Sequence, residues 1–370
     1  MDAFNLLIAF ASTFGASLLL VMTRRWHGRF SLDSNHGIQK LHTQPTPRIG
    51  GVSVLLGLLA AYGVATEGVQ LLLAPMLAAA IPAFSLGLLE DLTKKIGVMS
   101  RLIATMLSGV LAWQFTGVAM QNTGVPPIDW LLGFLPMAVV FTAFAVGGVA
   151  NAVNIIDGFN GLAAGTVAIM AGAMGMIALH VQDPNLASVC FLVAAIALGF
   201  GVINWPLGKL FLGDGGAYLL GFLVAWLAVL LPMRHPNLNA LATMMVCAYP
   251  VLEVGFSVRR RMRRIGHHPG QADRAHLHHF IHRRLVRPAF PRLRGTLQNG
   301  LTSLPCWAIA ALPATWGVLF AQHTPMLLLG LGLAVFGYAA VYARLTQFGW
   351  CFQALTLKSK VPLTSIETHT

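Results

Sequence analysis

Residues 162–203 read LAAGTVAIMAGAMGMIALH, then VQDPN, then LASVCFLVAAIALGFGVI. The two outer runs contain no acidic residue, lysine or arginine, and each approaches the ~20 residues that a helix needs to cross a bilayer. The five residues between them include Asp, Pro and Asn, which favour a turn. The stretch therefore predicts two membrane-spanning helices joined by a short loop.

Runs of this kind recur along most of the chain. Of its 370 residues, 56% are hydrophobic and only 10% are charged, whereas soluble domains carry about 25% charged residues. Because the runs are continuously apolar, they favour helices over a membrane β-barrel. The sequence predicts an all-α, polytopic membrane protein with about eleven transmembrane helices in one catalytic domain, residues 1–345, followed by a tail, residues 346–370. The predicted spans are 4–22, 50–66, 71–89, 102–118, 130–149, 162–180, 186–203, 217–231, 238–258, 304–320 and 326–343.

The basic residues predict which loops face the cytoplasm. One set of alternate loops, with the tail, holds 23 of the 24 Lys and Arg residues, and only Arg234 falls on the other side. The positive-inside rule makes the rich side cytoplasmic, with the N-terminus outside and the C-terminus inside. The inner loop at residues 259–302 is rich in His and Arg, and its charge suits anionic lipid. The same basic charge could attract nucleic acid, but it is confined to one short loop of a polytopic protein, so no nucleic-acid partner is predicted.

Four acids lie where the predicted inner loops meet helix ends: Glu90, Asp91, Asp157 and Asp214. A charge at the centre of a membrane helix costs about 2.5–3.5 kcal/mol, and less towards the interface. Four acids at one depth therefore predict one shared polar site, and solvated loop ends are the alternative. Asp183, in an outer loop, is expected to be solvated.

Asp214 lies in FLGDGG, residues 211–216, where glycines leave room for backbone and phosphate to approach the acid. A carboxylate beside phosphate oxygens and water suits Mg²⁺ or Mn²⁺. An ordinary turn is the alternative for this motif taken alone.

The segment NAVNIIDGFN, residues 151–160, is more specific. Asn151, Asn154 and Asp157 recur at a spacing of three, so a helix end would stack them on one face. Asn160 can reach the same site at the end of that helix. Amides can bind a nucleobase edge, and a carboxylate can bind a metal or a sugar hydroxyl. Helix capping explains one of these residues, but not four.

Three charged loops supply groups that can bind phosphate. In EDLTKK, residues 90–95, the paired acids can supply a general base and Lys94 can hold phosphate oxygens. A typical juxtamembrane charged loop is the alternative for this segment. In PTPRIGG, residues 45–51, Arg48 and the backbone can donate to phosphate, with an ordinary helix entry as the alternative. In DRAHLHH, residues 273–279, the basic side chains can bind a diphosphate, with a zinc site as the alternative. These side chains are Arg274, His276, His278 and His279.

Together these motifs resemble those of the polyprenyl-phosphate N-acetylhexosaminyl-1-phosphate transferases. The match covers residues 40–284 in the family's motif order and looks closest to the bacterial branch that initiates O-antigen and common-antigen synthesis. The resemblance implies transfer of N-acetylhexosamine 1-phosphate from a UDP-sugar to undecaprenyl phosphate, releasing UMP and starting a cell-surface polysaccharide. It also implies Mg²⁺, with Mn²⁺ as an alternative, and the bacterial cytoplasmic (inner) membrane. The sugar and a homodimer are left open.

The resemblance implies individual roles as well. Asp214 would be the Mg²⁺ ligand, and Glu90 and Asp91 would form the family's acidic pair, whose first member is a proposed base for the lipid phosphate. Asn154 and Asp157 would line the active site. The remaining matches are uracil-binding Asn204 and Phe211, the latter by stacking, and His276, His278 and His279 near the sugar and diphosphate.

Two residues depart from the family's pattern. Glu90 stands where relatives usually have Asp, so its longer side chain requires the site to shift slightly. Asn160 stands where relatives often have Asp, although an amide can still pair with the uracil imide.

Two rival functions have their own requirements. A solute transporter would need charged groups at the bilayer midplane that both sides can reach, whereas the polar residues here cluster on one side. A transferase for the muramoyl-pentapeptide nucleotide would carry a different histidine run.

Overall fold

The computed structural model describes residues 3–33, 45–262 and 275–347. Within these ranges the chain is almost entirely helical, and the strands described there are β1 (Leu32–Asp33) and β2 (Thr46–Pro47), which pair antiparallel. The helices are α1 (Ala3–Met22), α2 (Arg24–Ser31), α3 (Gly50–Val64), α4 (Glu67–Ala79), α5 (Ile81–Thr93), α6 (Val98–Thr116), α7 (Pro126–Leu132), α8 (Leu135–Ile156), α9 (Leu162–His180), α10 (Pro184–Asn204), α11 (Gly213–Arg234), α12 (Ala240–Val246), α13 (Ala248–Met262), α14 (Leu277–Ile281), α15 (Arg287–Ala289), α16 (Gly295–Leu301), α17 (Ser303–Leu319) and α18 (Thr324–Thr346). A π-helical segment, His282–Val286, joins α14 to α15.

Each predicted span has a helical counterpart. Among the described residues, eight helical segments are long and apolar enough to cross a membrane: α1, α6, α8, α9, α10, α11, α16 with α17, and α18. The pairs α4 with α5 and α12 with α13 meet the same test when each pair is taken together, and α3 is a shorter apolar helix of 15 residues. The prediction of an all-α, polytopic membrane protein is confirmed.

Two spans that the sequence predicts as single helices are bent. The axes of α4 and α5 differ by 49° across Ala80, and those of α12 and α13 differ by 77° across Cys247. Pro82 and Pro250 lie in the first turns of α5 and α13. A proline there lacks the N–H that would continue the preceding helix, so the backbone can turn at the break.

The fifth span is shifted along the chain from its predicted limits, residues 130–149. α7 and α8 are separated at Gly133 and Phe134, and α8 has a proline in its first turn. α8 then continues through Asn151 and Asn154, so the predicted placement of these asparagines at a helix end is confirmed.

α11 is the central helix of the bundle. It is buried along nearly its whole length and packs against α3, α5, α8 and α9. In its first turn, Gly215 lies against Gly87 of α5, and Gly216 lies against Gly51 of α3. A Cβ at Gly87 would come within 2.7 Å of the Gly215 Cα, so a side chain at this contact would force the helices apart. These two glycines, which were expected to make room for phosphate, allow close helix packing beside Asp214.

At the opposite end of α11, Asp183 is buried rather than solvated as expected. Its Oδ2 lies 2.9 Å from Arg234 Nη2 and 3.0 Å from His235 Nε2. Burial alone would raise the pKa of Asp183, but hydrogen bonds from the Leu186 N–H, Arg234 and His235 outweigh it and lower the pKa. The one basic residue predicted on the outer side is therefore held in an ion pair.

Candidate active site

Asp214, the second residue of α11, is the buried centre of a polar cluster. Its carboxylate pairs with Arg48, which follows β2, and with Arg101 in the first turn of α6. Asn154, near the end of α8, donates from Nδ2 to Asp214 Oδ1 at 3.2 Å. Segments that are far apart in the chain therefore converge on one carboxylate.

Asp91, near the end of α5, holds the beginning of α11. Its two carboxylate oxygens accept the backbone N–H groups of Asp214 and Gly215, each at 2.9 Å, and Arg48 Nε lies 3.2 Å from Oδ1. The first N–H groups of a helix have no partner within the helix, and a carboxylate there also complements the helix dipole. Asp91 is 1% exposed, so it fixes the position of Asp214 from inside the protein.

The neighbouring Glu90 has a different environment. Its side chain is half-buried, and Oε2 accepts the N–H of Ile96 at 2.7 Å, which closes the turn after α5. Lys94, in that turn, has a left-handed backbone with φ of 58° and an exposed side chain. The two members of the acidic pair are therefore not equivalent: Asp91 is enclosed, whereas Glu90 keeps access to solvent.

Asp157 follows the last residue of α8 and is half-buried. Among the described residues, its carboxylate has no hydrogen-bond or ion-pair partner. Desolvation by the surrounding protein raises the pKa of Asp157 to about 8; attraction to Arg48 opposes this rise, and repulsion from Asp91 adds to it. A carboxyl group with a pKa near neutrality can exchange a proton at working pH, or bind a cation that replaces the missing partner.

We expect Asp157→Asn to stabilise the ligand-free protein at pH 8. In the folded state this carboxyl keeps its proton up to pH about 8, whereas in the unfolded chain it loses the proton near its ordinary pKa of 3.8. The buried carboxyl therefore lowers the free energy of unfolding increasingly as pH rises between those values. Asparagine cannot ionise, so the variant does not lose this stability. The Tm at pH 8 should rise by a few degrees, on the order of 2–4 °C per kcal/mol, while turnover falls.

Thermal unfolding of both proteins in detergent at pH 5 and pH 8 measures the effect. The gain from the substitution should be larger at pH 8. An equal Tm difference at both pH values would contradict the raised pKa.

The histidines form a second cluster beside this loop. His276 and His278 stack with ring centroids 5.3 Å apart, and Phe159 packs edge-on against His278 at 5.5 Å. A Cβ at Gly158 would lie 3.5 Å from His278 Nε2, so the residue after Asp157 contacts this imidazole. Burial lowers the pKa of His278, which is therefore neutral at pH 7. The acid cluster and the histidine cluster are joined through residues 154–159.

Known proteins are similar to this chain over much of its length. The sequence profile of glycosyl transferase family 4 matches residues 73–232, from α4 to α11. An undecaprenyl-phosphate alpha-N-acetylglucosaminyl 1-phosphate transferase of Yersinia pestis is 28% identical over 310 residues, which are 79% of this chain and 84% of that protein. The protein of the same name from Escherichia coli (strain K12) is 28% identical over 273 residues, 72% of this chain and 73% of that protein. A probable undecaprenyl-phosphate N-acetylglucosaminyl 1-phosphate transferase of Bacillus subtilis (strain 168) is 30% identical over 253 residues, 65% of this chain and 67% of that protein. The chain belongs to glycosyl transferase family 4.

The resemblance in the sequence motifs is thereby confirmed, and the protein is a membrane-embedded phosphoglycosyl transferase. The matched region carries the acidic pair, the asparagine-rich loop and Asp214, which the fold brings to one end of the helical bundle.

Two asparagines of the transferase that were predicted to bind uracil hold loops together. Asn204 is 4% exposed; its Oδ1 accepts the N–H of Gly161, and its Nδ2 donates to the Leu210 carbonyl at 2.8 Å. Asn160 is 7% exposed and donates from Nδ2 to the Pro206 carbonyl at 2.9 Å. Both side chains are thus engaged with backbone, and their contact with a base stays a prediction.

Phe211 of the transferase is half-buried in the loop before α11. Its N–H donates to the Pro47 carbonyl at 2.8 Å, and its carbonyl accepts the Gly50 N–H at 2.9 Å. This pairing fixes the loop against the segment that carries Arg48. Arg274, also predicted to bind substrate, lies outside the described residues.

Two residues of the transferase site were missed by the sequence analysis. Arg101 pairs with Asp214, and Glu253 of α13 is buried against His276 and His278. Glu253 stands alone in a predicted span, and an acid inside a span is a functional signal by itself. Arg101 lies in the first turn of α6 and was assigned only to a loop.

Proposed function

We propose that this transferase moves N-acetylhexosamine 1-phosphate from a UDP-sugar to undecaprenyl phosphate. The products are UMP and a lipid-diphosphate-linked sugar that starts a cell-surface polysaccharide. The observation that carries the proposal is the Asp214 cluster, with two guanidiniums at one end of an apolar helical bundle. The printed names of the relatives support the same acceptor and an N-acetylglucosamine donor.

Arg48 and Arg101 are the phosphate-binding groups in this proposal. Their side chains are 29% and 15% exposed, so a substrate approaching the loops can reach them without unfolding. A guanidinium presents a planar set of donors that matches phosphate oxygens. Asp214 holds both side chains in position until the diphosphate enters.

In the reaction, an oxygen of the lipid phosphate attacks the sugar-linked phosphorus of the donor. The bond from that phosphorus to the bridging oxygen breaks, and UMP leaves with the electron pair. Because one phosphoanhydride replaces another, catalysis depends mainly on positioning and electrostatics. We assign proton removal from the lipid phosphate to Glu90, which keeps access to solvent, and positioning to the enclosed Asp91.

A covalent route through an aspartyl phosphate on Asp214 is the alternative. The two arginines and Asn154 already engage this carboxylate. Because Asp214 is also the proposed metal ligand once these partners turn to the diphosphate, we assign the attack to the lipid phosphate.

The acid cluster fits a bound Mg²⁺, or Mn²⁺ in its place. Mg²⁺ is usually held by one or two carboxylates together with substrate phosphates and water. Asp214 and the unpartnered Asp157 are such carboxylates, and the Asn154 amide oxygen is a further hard donor. When bound, the ion would neutralise charge that develops on the diphosphate.

The proposal sets the transferase in a bacterial inner membrane, with the N-terminus periplasmic and the C-terminus cytoplasmic. Its support is the placement of 23 of the 24 Lys and Arg residues on the side of the candidate site. UDP-sugars are cytoplasmic, so the donor would meet the site on that side.

The decisive experiment uses purified transferase, undecaprenyl phosphate and Mg²⁺ with a panel of UDP-N-acetylhexosamines. We expect UMP release with at least one of them, and none when the lipid is left out. UDP-N-acetylmuramoyl-pentapeptide belongs in the panel, because activity with that donor alone would favour the rival transferase. Absence of UMP with every donor would overturn the proposal.

We expect Phe211→Ala to raise the KM for the UDP-sugar about tenfold, with little change in the KM for the lipid. Stacking of an aromatic ring on a base contributes about 1–3 kcal/mol. Initial rates of UMP release at varied concentrations of each substrate measure both constants. Phe290→Ala is the matched control, because this exposed ring lies in another loop. Equal increases in both KM values for Phe211→Ala would count against stacking.

A further inference from the structure

Glu253 is an acid enclosed in the helical bundle. It lies in α13 and is 1% exposed. Its Oε1 accepts the N–H of Leu277 at 2.9 Å and lies 3.1 Å from His276 Nδ1. Its Oε2 lies 3.7 Å from His278 Nδ1. One carboxylate therefore faces the same ring nitrogen of two histidines and the first residue of α14.

The charge of Glu253 favours one position for the proton of the His278 imidazole. The 3.7 Å between Glu253 Oε2 and His278 Nδ1 is too long for a hydrogen bond. A carboxylate nevertheless attracts an N–H dipole, so the proton of a neutral His278 is favoured on Nδ1. Nε2 then has a lone pair and no hydrogen. Burial keeps His278 neutral by lowering its pKa, so His278 Nε2 is an acceptor.

The acceptor nitrogen lies at the loop that carries Asp157. His278 is 0% exposed, and among the described residues neither Nδ1, on the Glu253 side, nor Nε2 has a hydrogen-bond partner. The atom lies beside Gly158, and Phe159 packs against the same ring. A buried polar atom without a partner is costly, and a ligand that donates a hydrogen bond would remove that cost.

We propose that Glu253 is a positioning residue that fixes the His278 tautomer so that Nε2 accepts a hydrogen bond from the donor's sugar. The inference rests on the proposed function for its substrate. The sugar's hydroxyl groups and its amide N–H can donate to Nε2, whereas phosphate oxygens without protons cannot. This differs from the expectation that the histidines donate to the diphosphate.

Glu253→Gln tests the proposal with little change of shape. The amide oxygen can still accept the Leu277 N–H, but the amide NH₂ group would face an imidazole Nδ1 and reverse its tautomer. We expect the affinity for UDP-N-acetylglucosamine to fall about tenfold, because one buried hydrogen bond to the sugar is lost and its partner group is left unpaired. The affinity for UDP, which lacks the sugar, should change less than about twofold. Calorimetric titration of the purified protein with each compound measures both.

A double-mutant cycle separates positioning from a general packing role. The about tenfold loss caused by Glu253→Gln should nearly disappear when His278 is already alanine, because the two residues act through one contact. An equal loss in both backgrounds would overturn the proposal. So would an equal loss of UDP and UDP-N-acetylglucosamine binding, because the histidine would then act on the diphosphate.

Two further variants complete the test. Glu253→Asp keeps the carboxylate and should recover part of the affinity, and this variant decides the matter if Glu253→Gln fails to bind UDP at all. Tyr249→Phe, on the same helix, removes another buried polar group and should bind both compounds like the unchanged protein.

If the unchanged protein neither binds UDP-N-acetylglucosamine nor releases UMP from it, the assignment of that donor fails. If it does both and Glu253→Gln matches it, only the positioning role fails.

Discussion

Asp214→Asn is expected to reduce UMP release by about 10²–10³-fold or more. Asparagine has the shape of aspartate but no charge, so it cannot hold the guanidiniums of Arg48 and Arg101 or serve as a strong Mg²⁺ ligand. Removing one preorganised group that stabilises charge in a transition state typically lowers kcat by about 10²–10³-fold. The measurement is initial UMP release with saturating UDP-sugar and undecaprenyl phosphate over a range of Mg²⁺ concentrations.

Asp183→Asn is the matched control for this variant. Asp183 is also a buried aspartate paired with an arginine, but it lies at the opposite end of α11. Its substitution should lower the Tm and leave turnover near that of the unchanged protein. Full activity of Asp214→Asn, or equal losses for both variants, would contradict the assignment of Asp214 to the reaction.

Asp91→Asn is expected to lower turnover by about 100-fold and to lower the Tm as well. Both Asp91 oxygens accept backbone N–H groups of α11, and an amide would turn an NH₂ group towards one of them. Leaving a buried donor without an acceptor costs about 1–3 kcal/mol. The start of α11, and Asp214 with it, would shift away from Arg48 and Asn154.

The control for this variant is Asp129→Asn. Asp129 also accepts a backbone N–H, that of Thr123 at 2.6 Å, together with the Thr123 hydroxyl at 2.7 Å. It lies outside the acid and histidine clusters, so its loss should affect stability and spare the reaction. Turnover of Asp91→Asn at the level of the control would show that the capping contact does not position Asp214.

The locations of the membrane segments followed from the sequence because they depend on a local quantity. Whether a segment can cross a bilayer depends on the length of its apolar run, which is counted along the chain. That Asp91, Asp157 and Asp214 lie on the same side of the membrane and at a similar depth could be predicted for the same reason. The alternation of spans determines the side of each loop. The matching motifs then indicated the family.

Which side chain meets which was decided only by the tertiary structure. Asp91 and the Asp214 N–H are 123 residues apart in the chain, and Asn160 and the Asn299 side chain that accepts its N–H are 139 apart. Such partners depend on how helices pack, and hydropathy carries no information about packing. An amide can bind a base or a backbone group equally well. In the folded protein the Asn204 amide binds the backbone of Gly161 and Leu210, which its sequence position alone does not indicate.

The chain by itself therefore determined a helical membrane transferase with its polar residues on one side. The fold determined that Asp91 caps α11, that Arg101 contacts Asp214, that Glu253 contacts His276 and His278, and that the glycines beside Asp214 serve helix packing. The physical reason is that apolar length and charge are properties of single segments. Hydrogen-bond partners and close helix contacts exist only after segments distant in sequence have come together.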